Sequence, residues 1–353
     1  MSKNKKTTIV SAVIISSLLL SGCGLLGGES KESIDPPQTV TITEEEETTV
    51  TEETTGEEMP AEQDAVENTI MTELYLIDKN GYVVPQSLPL PKTESVAKQA
   101  LEYLVQGGPV TEILPNGFTA VLPVDTELSV DIKGKTATVN FSNEFKNYQP
   151  ENEQKILQAV TWTLTQFDSI EHVKLKLNGH DLNEMPVGGT PIGESLTRAD
   201  GINLDTSDVI DLTNTKAATV YYLAGDEGSY YYVPVTRRVQ NNDIEGVVAE
   251  LVKGPNYSSN LLTDFLPDVA LLDEPKVENG EVTLNFNESV YGSFEEKIIS
   301  QHVINSLVLS LTEQKGIESV SIMVNGEAEL VRENGEKLTE PVTRPENVNT
   351  GSF

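Results

Sequence analysis

Residues 173–179 read VKLKLNG, and residues 320–326 repeat the pattern as VSIMVNG. In both stretches apolar side chains occupy every second position, which predicts a β-strand with one buried face. An Asn-Gly pair closes each stretch, and this pair is a strong signal for a tight turn. The two stretches lie 147 residues apart. The sequence therefore contains the same strand and turn twice.

Other matches keep nearly the same offset, from 145 to 147 residues, and the same order along the chain. They are 104–107 (LVQG) with 251–254 (LVKG), 138–141 (TVNF) with 283–286 (TLNF), and 197–198 with 343–344 (TR in both). Several matched blocks in one order indicate a tandem duplication. We assign the first copy to residues 71–203, a linker to 204–217, and the second copy to 218–349.

Each copy predicts the element order β-α-β-β-α-β. In the first copy we expect a strand at 74–77, a helix that begins near Thr93, two strands around Gly134, a second helix at about 151–167, and the strand at 173–177. One-sided strands combined with one-sided helices predict an α+β fold, with a small antiparallel or mixed sheet and two helices on one face. Since each copy contains all these elements, we expect each to have its own core.

The N-terminus has the three parts of an export signal. Three lysines precede an uncharged apolar run, and residues 20–23 (LSGC) end at Cys23, the only cysteine of the chain. These residues resemble a bacterial lipobox, which predicts that residues 1–22 are removed and that diacylglycerol is attached to Cys23. Two acyl chains and an expected N-acyl group would hold the protein on the extracytoplasmic face of the membrane.

Residues 23–70 predict an acidic, disordered tether. Within residues 29–68 there are 14 acidic residues, one lysine and no aromatic residue. A segment of this composition cannot bury enough apolar surface to offset the entropy lost on ordering. We interpret it as a spacer between the lipid anchor and the folded repeats.

The lipobox, the acidic tether and the two repeats together resemble the spore germination protein M family, with its tandem sporulation and spore-germination (GerMN) domains. The resemblance implies a fold of the ring-building type and a lipoprotein without enzymatic activity that supports sporulation and germination. It also implies a position on the outer forespore membrane, within the intermembrane space between mother cell and forespore. The partners implied are other ring-building or membrane proteins of a secretion-like channel complex.

Composition and motifs point to no chemistry. A formal net charge of −32 disfavours binding to nucleic acids. His172, His180 and His302 do not recur between the copies, and we find no motif for a metal, a cofactor or a catalytic residue. Adjacent acids such as Asp226 and Glu227 are most simply explained as solvated carboxylates in a chain with 56 acidic residues.

One aromatic concentration, residues 221–232, leaves an alternative open. These tyrosines can be strand residues that alternate between faces, or a stacking platform for a glycan. The second interpretation would make the protein a lipoprotein that binds or modifies peptidoglycan. Whether the protein forms homo-oligomers is also left open by the sequence.

Overall fold

A computed structural model describes residues 68–207, 214–240, 243–293 and 297–351. The signal at 1–22, Cys23 and nearly all of the tether at 23–70 lie outside these residues. The first repeat has two helices, α1 (Val96–Glu102) and α2 (Glu153–Leu164). Its strands are β1 (Thr69–Ile77), β2 (Val83–Pro91), β3 (Leu128–Lys133), β4 (Thr136–Phe141), β5 (His172–Leu177) and β6 (His180–Asp181).

The second repeat has the helices α3 (Ile244–Lys253) and α4 (Gln301–Leu311). Its strands are β7 (Thr215–Asp226), β8 (Ser229–Gln240), β9 (Lys276–Glu278), β10 (Glu281–Phe286), β11 (Tyr291–Ser293), β12 (Ile298–Ile299), β13 (Ser319–Val324), β14 (Leu330–Arg332), β15 (Lys337–Leu338) and β16 (Val342–Thr343). The chain is thus α+β and built from two tandem copies.

The main sheet of each repeat is mixed. In the first repeat the strand order is β3-β4-β5-β6, with β4 and β5 parallel and the outer pairs antiparallel. In the second repeat β10 and β13 form the equivalent parallel pair. A parallel pair needs a crossover connection, and α2 or α4 provides it.

The turn signals at the strand ends have the expected geometry. Asn178 and Asn325 have φ of +50°, and the glycines that follow them also have positive φ. Asn140 and Asn285 end the preceding parallel strands, and each side chain accepts a hydrogen bond from the turn glycine, at 2.6 and 2.9 Å. Both asparagines therefore act as polar groups that fix the turns near the strand ends.

The structure corrects the beginning of each repeat. The sequence predicts one strand there, but the structure has a long antiparallel hairpin, β1–β2 in the first repeat and β7–β8 in the second. Strand β2 contains Pro85, Pro89 and Pro91, and proline is rare inside β-sheets. It forms one edge of a two-stranded sheet, where proline is tolerated because no ladder continues beyond it.

Helix α3 begins after Asp243, whose side chain accepts a hydrogen bond from the Gly246 amide at 2.8 Å and so caps the helix. Helix α1 is shorter than expected and begins after Ser95 rather than near Thr93. Most buried apolar residues of the two repeats form one continuous cluster, beside a small second cluster of Tyr221, Leu309 and Val348, and both repeats belong to one compact unit. The cores of the two repeats are therefore in contact with each other.

Candidate functional site: the seam between the repeats

The repeats meet where the two hairpins lie side by side. We call this contact the seam and define it as β1–β2, β7–β8 and the two segments 201–203 and 347–349. The Asn203 amide nitrogen donates to the carbonyl oxygens of Val83 and Pro234, both at 2.7 Å. Its amide oxygen accepts from the Val83 N–H at 2.8 Å. One side chain thus binds the edge strands of both hairpins.

Asn349 makes the corresponding contacts from the second repeat. Its amide nitrogen donates to the carbonyl oxygens of Pro85 and Tyr232, at 2.8 and 2.9 Å, and its oxygen accepts from the Tyr232 N–H at 2.8 Å. Asn203 and Asn349 have φ of +45° and +56°. Asparagine adopts this left-handed region more readily than most residues. The two residues form a matched pair of clamps.

The residues that precede the two clamps also make equivalent contacts. Ile202 exchanges two hydrogen bonds with Thr236 of β8, at 2.8 and 2.9 Å. Val348 exchanges two with Ser87 of β2, at 2.8 and 3.0 Å. Each repeat therefore sends the segment that follows its last strands onto the hairpin of the other repeat. The seam has approximate two-fold symmetry.

A buried carboxylate joins the repeats beside the seam. Both oxygens of Glu313 accept from Arg198 Nη1 at 2.9 Å, and Arg344 Nη1 lies 3.1 Å from Glu313 Oε1. The Tyr221 hydroxyl donates to the same carboxylate at 2.9 Å. Burial would raise the pKa of Glu313, but the two guanidinium groups outweigh it and the pKa lies below its usual value. Glu313 is thus ionised between two equivalent arginines, one from each repeat.

A third arginine, which is fully buried, breaks the symmetry. Arg237 of β8 is buried, and its Nη1 lies 2.5 Å from Glu250 of α3 while its Nε lies 3.3 Å from Asp205. It also donates to the Gly254 carbonyl oxygen at 3.0 Å. The first repeat has Leu88 at the equivalent position.

Gln86, also in β2, is fully buried, and neither the nitrogen nor the oxygen of its side-chain amide has a hydrogen-bond partner among the described residues.

The glycine-rich loop of the first repeat binds a carboxylate of its own chain. Glu153, at the start of α2, is buried and accepts hydrogen bonds from the amides of Gly188 at 2.6 Å and Thr190 at 3.0 Å. The Tyr148 hydroxyl donates to it at 3.0 Å. Burial opposes ionisation, but these donors lower the pKa of Glu153 to about 2. A Cβ at Gly188 would lie 2.8 Å from Glu153, which explains the glycine.

The structure does not bring the candidate chemical residues together. His172 contacts Ser195, His180 is exposed, and His302 lies against Tyr232. Within the described ranges there is no cluster of three or more His, Cys, Asp or Glu residues that could hold a metal. In the same ranges, no helix has the length and apolar character of a membrane span.

The tyrosine concentration is mostly internal. Tyr221, Tyr222 and Tyr231 are buried, and Tyr230 and Tyr232 are half-buried against His302. The Tyr231 hydroxyl donates to Asp78 of the first repeat at 2.8 Å. These contacts favour the interpretation as alternating strand residues over an open stacking platform.

Comparison with known proteins decides the family. A family model described as "Germane: Sporulation and spore germination" matches residues 73–183 and again residues 219–329. The chain belongs to the Germane family. The spore germination protein GerM of Bacillus subtilis (strain 168) is 59% identical to it over 366 residues, with 100% of both chains covered.

Solved structures of Germane proteins match as well. The tandem GerMN domains of the sporulation protein GerM from Bacillus subtilis are 64% identical, with a TM-score of 0.76 over 80% of this chain and 100% of that chain. The first GerMN domain of the same protein is 74% identical and covers 37% of this chain and 100% of that chain, with a TM-score of 0.37.

The Germane matches end at residues 183 and 329, so both clamps lie outside the matched segments. Sequence reasoning did not single out Asn203 and Asn349. A signal was present, because they are separated by 146 residues, the same offset as Arg198 and Arg344. Neither asparagine stands in a motif, and only the packed structure shows what the offset means.

Proposed function

We propose that this protein is a lipid-anchored structural component of the machinery for sporulation and germination and that it has no enzymatic activity. Cys23 would carry the lipid, and the acidic segment would lift the two repeats off the membrane. The repeats would then act as an adaptor between mother cell and forespore, on the outer forespore membrane, within a secretion-like channel complex that contains other ring-building proteins.

The observation that carries this proposal is the use of the buried charged groups. Glu153, Glu313 and Arg237 hold loops and repeats together through several partners each. A catalytic carboxylate at neutral pH is commonly tuned toward that pH, whereas the pKa values of Glu153 and Glu313 are lowered. This chemistry serves rigidity, as expected for a protein that positions others.

Family membership supports the part of the proposal that concerns sporulation and germination. The relative of 59% identity is named a spore germination protein, and the matching family is described by sporulation and spore germination. The alignment with this relative covers the whole chain, which includes the segment around Cys23.

The proposal can be tested by replacing the relative. The full chain is expressed in a Bacillus subtilis strain that lacks GerM, and spore yield and germination are measured. We expect restoration of both, and chemical crosslinking in the sporulating cells should capture membrane proteins of the channel complex. Turnover of purified peptidoglycan by the full chain, or failure to restore spore formation at normal protein level, would overturn the proposal.

A further inference from the structure

The two repeats differ most at one matched place beside the clamps. The N-H groups of Tyr75 and Tyr221 donate to Thr163 and Ser310, at 3.0 and 2.9 Å, which aligns α2 with α4. Tyr75 pairs with Pro85 and Tyr221 with Pro234, which aligns β2 with β8. The alignment equates Lys155 with His302, Gln158 with Asn305, Val83 with Tyr232, and Gly81 with Tyr230.

In the second repeat this place is filled by aromatic rings. The Tyr232 hydroxyl oxygen lies 3.0 Å from His302 Nδ1 and accepts from the Asn305 amide at 2.8 Å. The Tyr230 ring packs edge-on against His302, with centroids 5.3 Å apart. A tyrosine side chain thus fills the space between the hairpin and the first turns of the helix.

In the first repeat no aromatic ring occupies the matched positions. Gly81 has no side chain, and Val83 is fully buried in the core. A cavity of about 480 Å³ lies there, lined by Gly81, Tyr82, Lys155, Gln158, Asn203 and Asn256. Its volume falls within the range of roughly 300–1,000 Å³ found for small-molecule sites. A Cβ at Gly81 would lie 3.1 Å from Lys155 Nζ, so the lysine occupies the side of the cavity where His302 lies in the second repeat.

The helix side of the cavity offers hydrogen-bond donors, as in the second repeat. The Gln158 oxygen accepts from the Asn203 N–H at 3.1 Å, which leaves the two amide hydrogens of Gln158 to donate. Lys155 forms no ion pair with any described residue. These two side chains replace Asn305 and His302, the groups that hold the Tyr232 hydroxyl.

We propose that this cavity binds a tyrosine side chain of a partner protein. The phenol oxygen would accept hydrogen bonds from Gln158 and Lys155, and the ring would lie against Gly81, the counterpart of Tyr230. Glu151 and Asp205 also line the cavity, and their charges disfavour an anionic ligand. An aliphatic side chain would leave the donors without partners, which costs free energy. This proposal rests on the adaptor function and names the chemistry of its partner.

Binding can be measured without knowing the partner. The full chain in detergent micelles is titrated with N-acetyl-tyrosinamide and followed by ligand-observed NMR. N-acetyl-leucinamide and N-acetylglucosamine serve as comparison probes. We expect saturable binding of the tyrosine probe and no saturable binding of the other two.

Variants assign the binding to the cavity. Lys155→Trp, which places a large ring in the cavity, should weaken binding of the tyrosine probe by roughly tenfold or more, equivalent to about 1.4 kcal/mol. Lys133→Trp, at the exposed tip between β3 and β4, is the matched control and should bind as the unmodified chain does. Circular dichroism confirms that both variants fold. Binding of N-acetylglucosamine instead, or equal binding by Lys155→Trp, would overturn the proposal.

A photo-crosslinking residue at position 204 then tests the site in sporulating cells, because Leu204 lines the cavity and is 52% exposed. A crosslinked partner peptide that contains tyrosine at the site of attachment supports the proposal. Attachment to a glycan, to a peptide without tyrosine, or to another part of this chain contradicts it. Since the NMR titration needs no partner, failure of tyrosine binding can be distinguished from failure of the adaptor function, which is measured by spore yield.

Discussion

Arg198 of the first repeat donates to both carboxylate oxygens of Glu313 in the second repeat, at 2.9 Å, although 115 residues separate them in the chain. Arg344 reaches the same carboxylate from the other side. Removal of one member of a buried ion pair leaves the other charges uncompensated, and this costs more than the pair contributes on its own.

Glu313→Gln should therefore destabilise the protein strongly. We expect a loss of about 3 kcal/mol in the free energy of unfolding, measured by urea denaturation, because two half-buried arginines lose their shared counter-charge. Glu327→Gln is the control, since Glu327 pairs with Lys297 at 2.8 Å on an exposed surface. That change should cost less than about 1 kcal/mol. Equal losses of stability in the two variants would show that the Glu313 cluster stabilises the protein no more than an exposed ion pair does.

The asparagine clamps predict how much stability three variants lose relative to one another. Asn203→Ala removes three hydrogen bonds of the seam and should cost about 3 kcal/mol. Asn203→Gly removes the same bonds but accepts the positive φ, so it should cost less. Asn178→Ala changes an exposed turn residue with a φ of +50°. It should cost only the strain of placing alanine at a positive φ, about 1 kcal/mol. If Asn203→Ala costs no more than Asn178→Ala, the clamp does not stabilise the seam.

The shared core predicts that damage in one repeat unfolds the other. Trp162, the only tryptophan of the chain, is buried in the first repeat. Val248→Asp places a charge in the core of the second repeat, at a cost of several kcal/mol. We expect Trp162 fluorescence to report a lower urea midpoint, coincident with the circular dichroism transition.

Val277→Asp is the matched control for this experiment, because Val277 is 51% exposed on β9. It should leave the midpoint of the Trp162 transition nearly unchanged. If Val248→Asp leaves the urea midpoint of the Trp162 transition unchanged, the two repeats unfold separately.

Glu153 predicts a pH dependence. Its pKa is lowered from 4.5 to about 2 in the folded protein, so its contribution to stability is fully present above the pKa of the unfolded state. This contribution is lost as the pH falls from about 4.5 to about 2. Glu153→Gln should be less stable than the unmodified protein at pH 6, and the difference should shrink below pH 4.5. The same difference at both pH values would contradict this account.

The proposed lipid anchor at Cys23 can be tested with the variant Cys23→Ala. If Cys23 carries the lipid, the variant should accumulate as an uncleaved precursor or be released from the membrane fraction. Detergent phase partitioning and gel mobility measure both outcomes. Ser21→Ala, which keeps a small residue beside the cysteine, should be processed normally. A Cys23→Ala protein of mature size that stays in the membrane would show that the anchor is a different group.

Local patterns predicted the parts of the fold that depend on neighbouring residues. The alternation at 173–177 and the Asn-Gly pair after it are sufficient to define β5 and its turn. Strand β2 escaped prediction because Pro89 and Pro91 are common breakers, and only the absence of a further strand beside β2 makes them acceptable.

The seam could not be predicted because its contacts join distant segments. The duplication reveals that Arg198 and Arg344 are equivalent, but the first repeat has Gln166 where the second has Glu313. No pattern in the sequence states that one carboxylate serves both arginines. Likewise, Gly81 and Val83 are unremarkable in sequence, and the cavity becomes visible only when their counterparts Tyr230 and Tyr232 are seen to fill the equivalent space.

The second clamp joins residues that are 264 positions apart, since Asn349 binds the Pro85 carbonyl oxygen. Contacts of such long separation form late, because a large loop must close before they contribute. The folding chain is therefore expected to pass through a stage in which the hairpins are formed but not yet joined. Once both clamps have closed, opening requires the loss of two sets of contacts across the seam, so unfolding is expected to be slow. Resistance to proteolysis would then come from a kinetic barrier as well as from equilibrium stability.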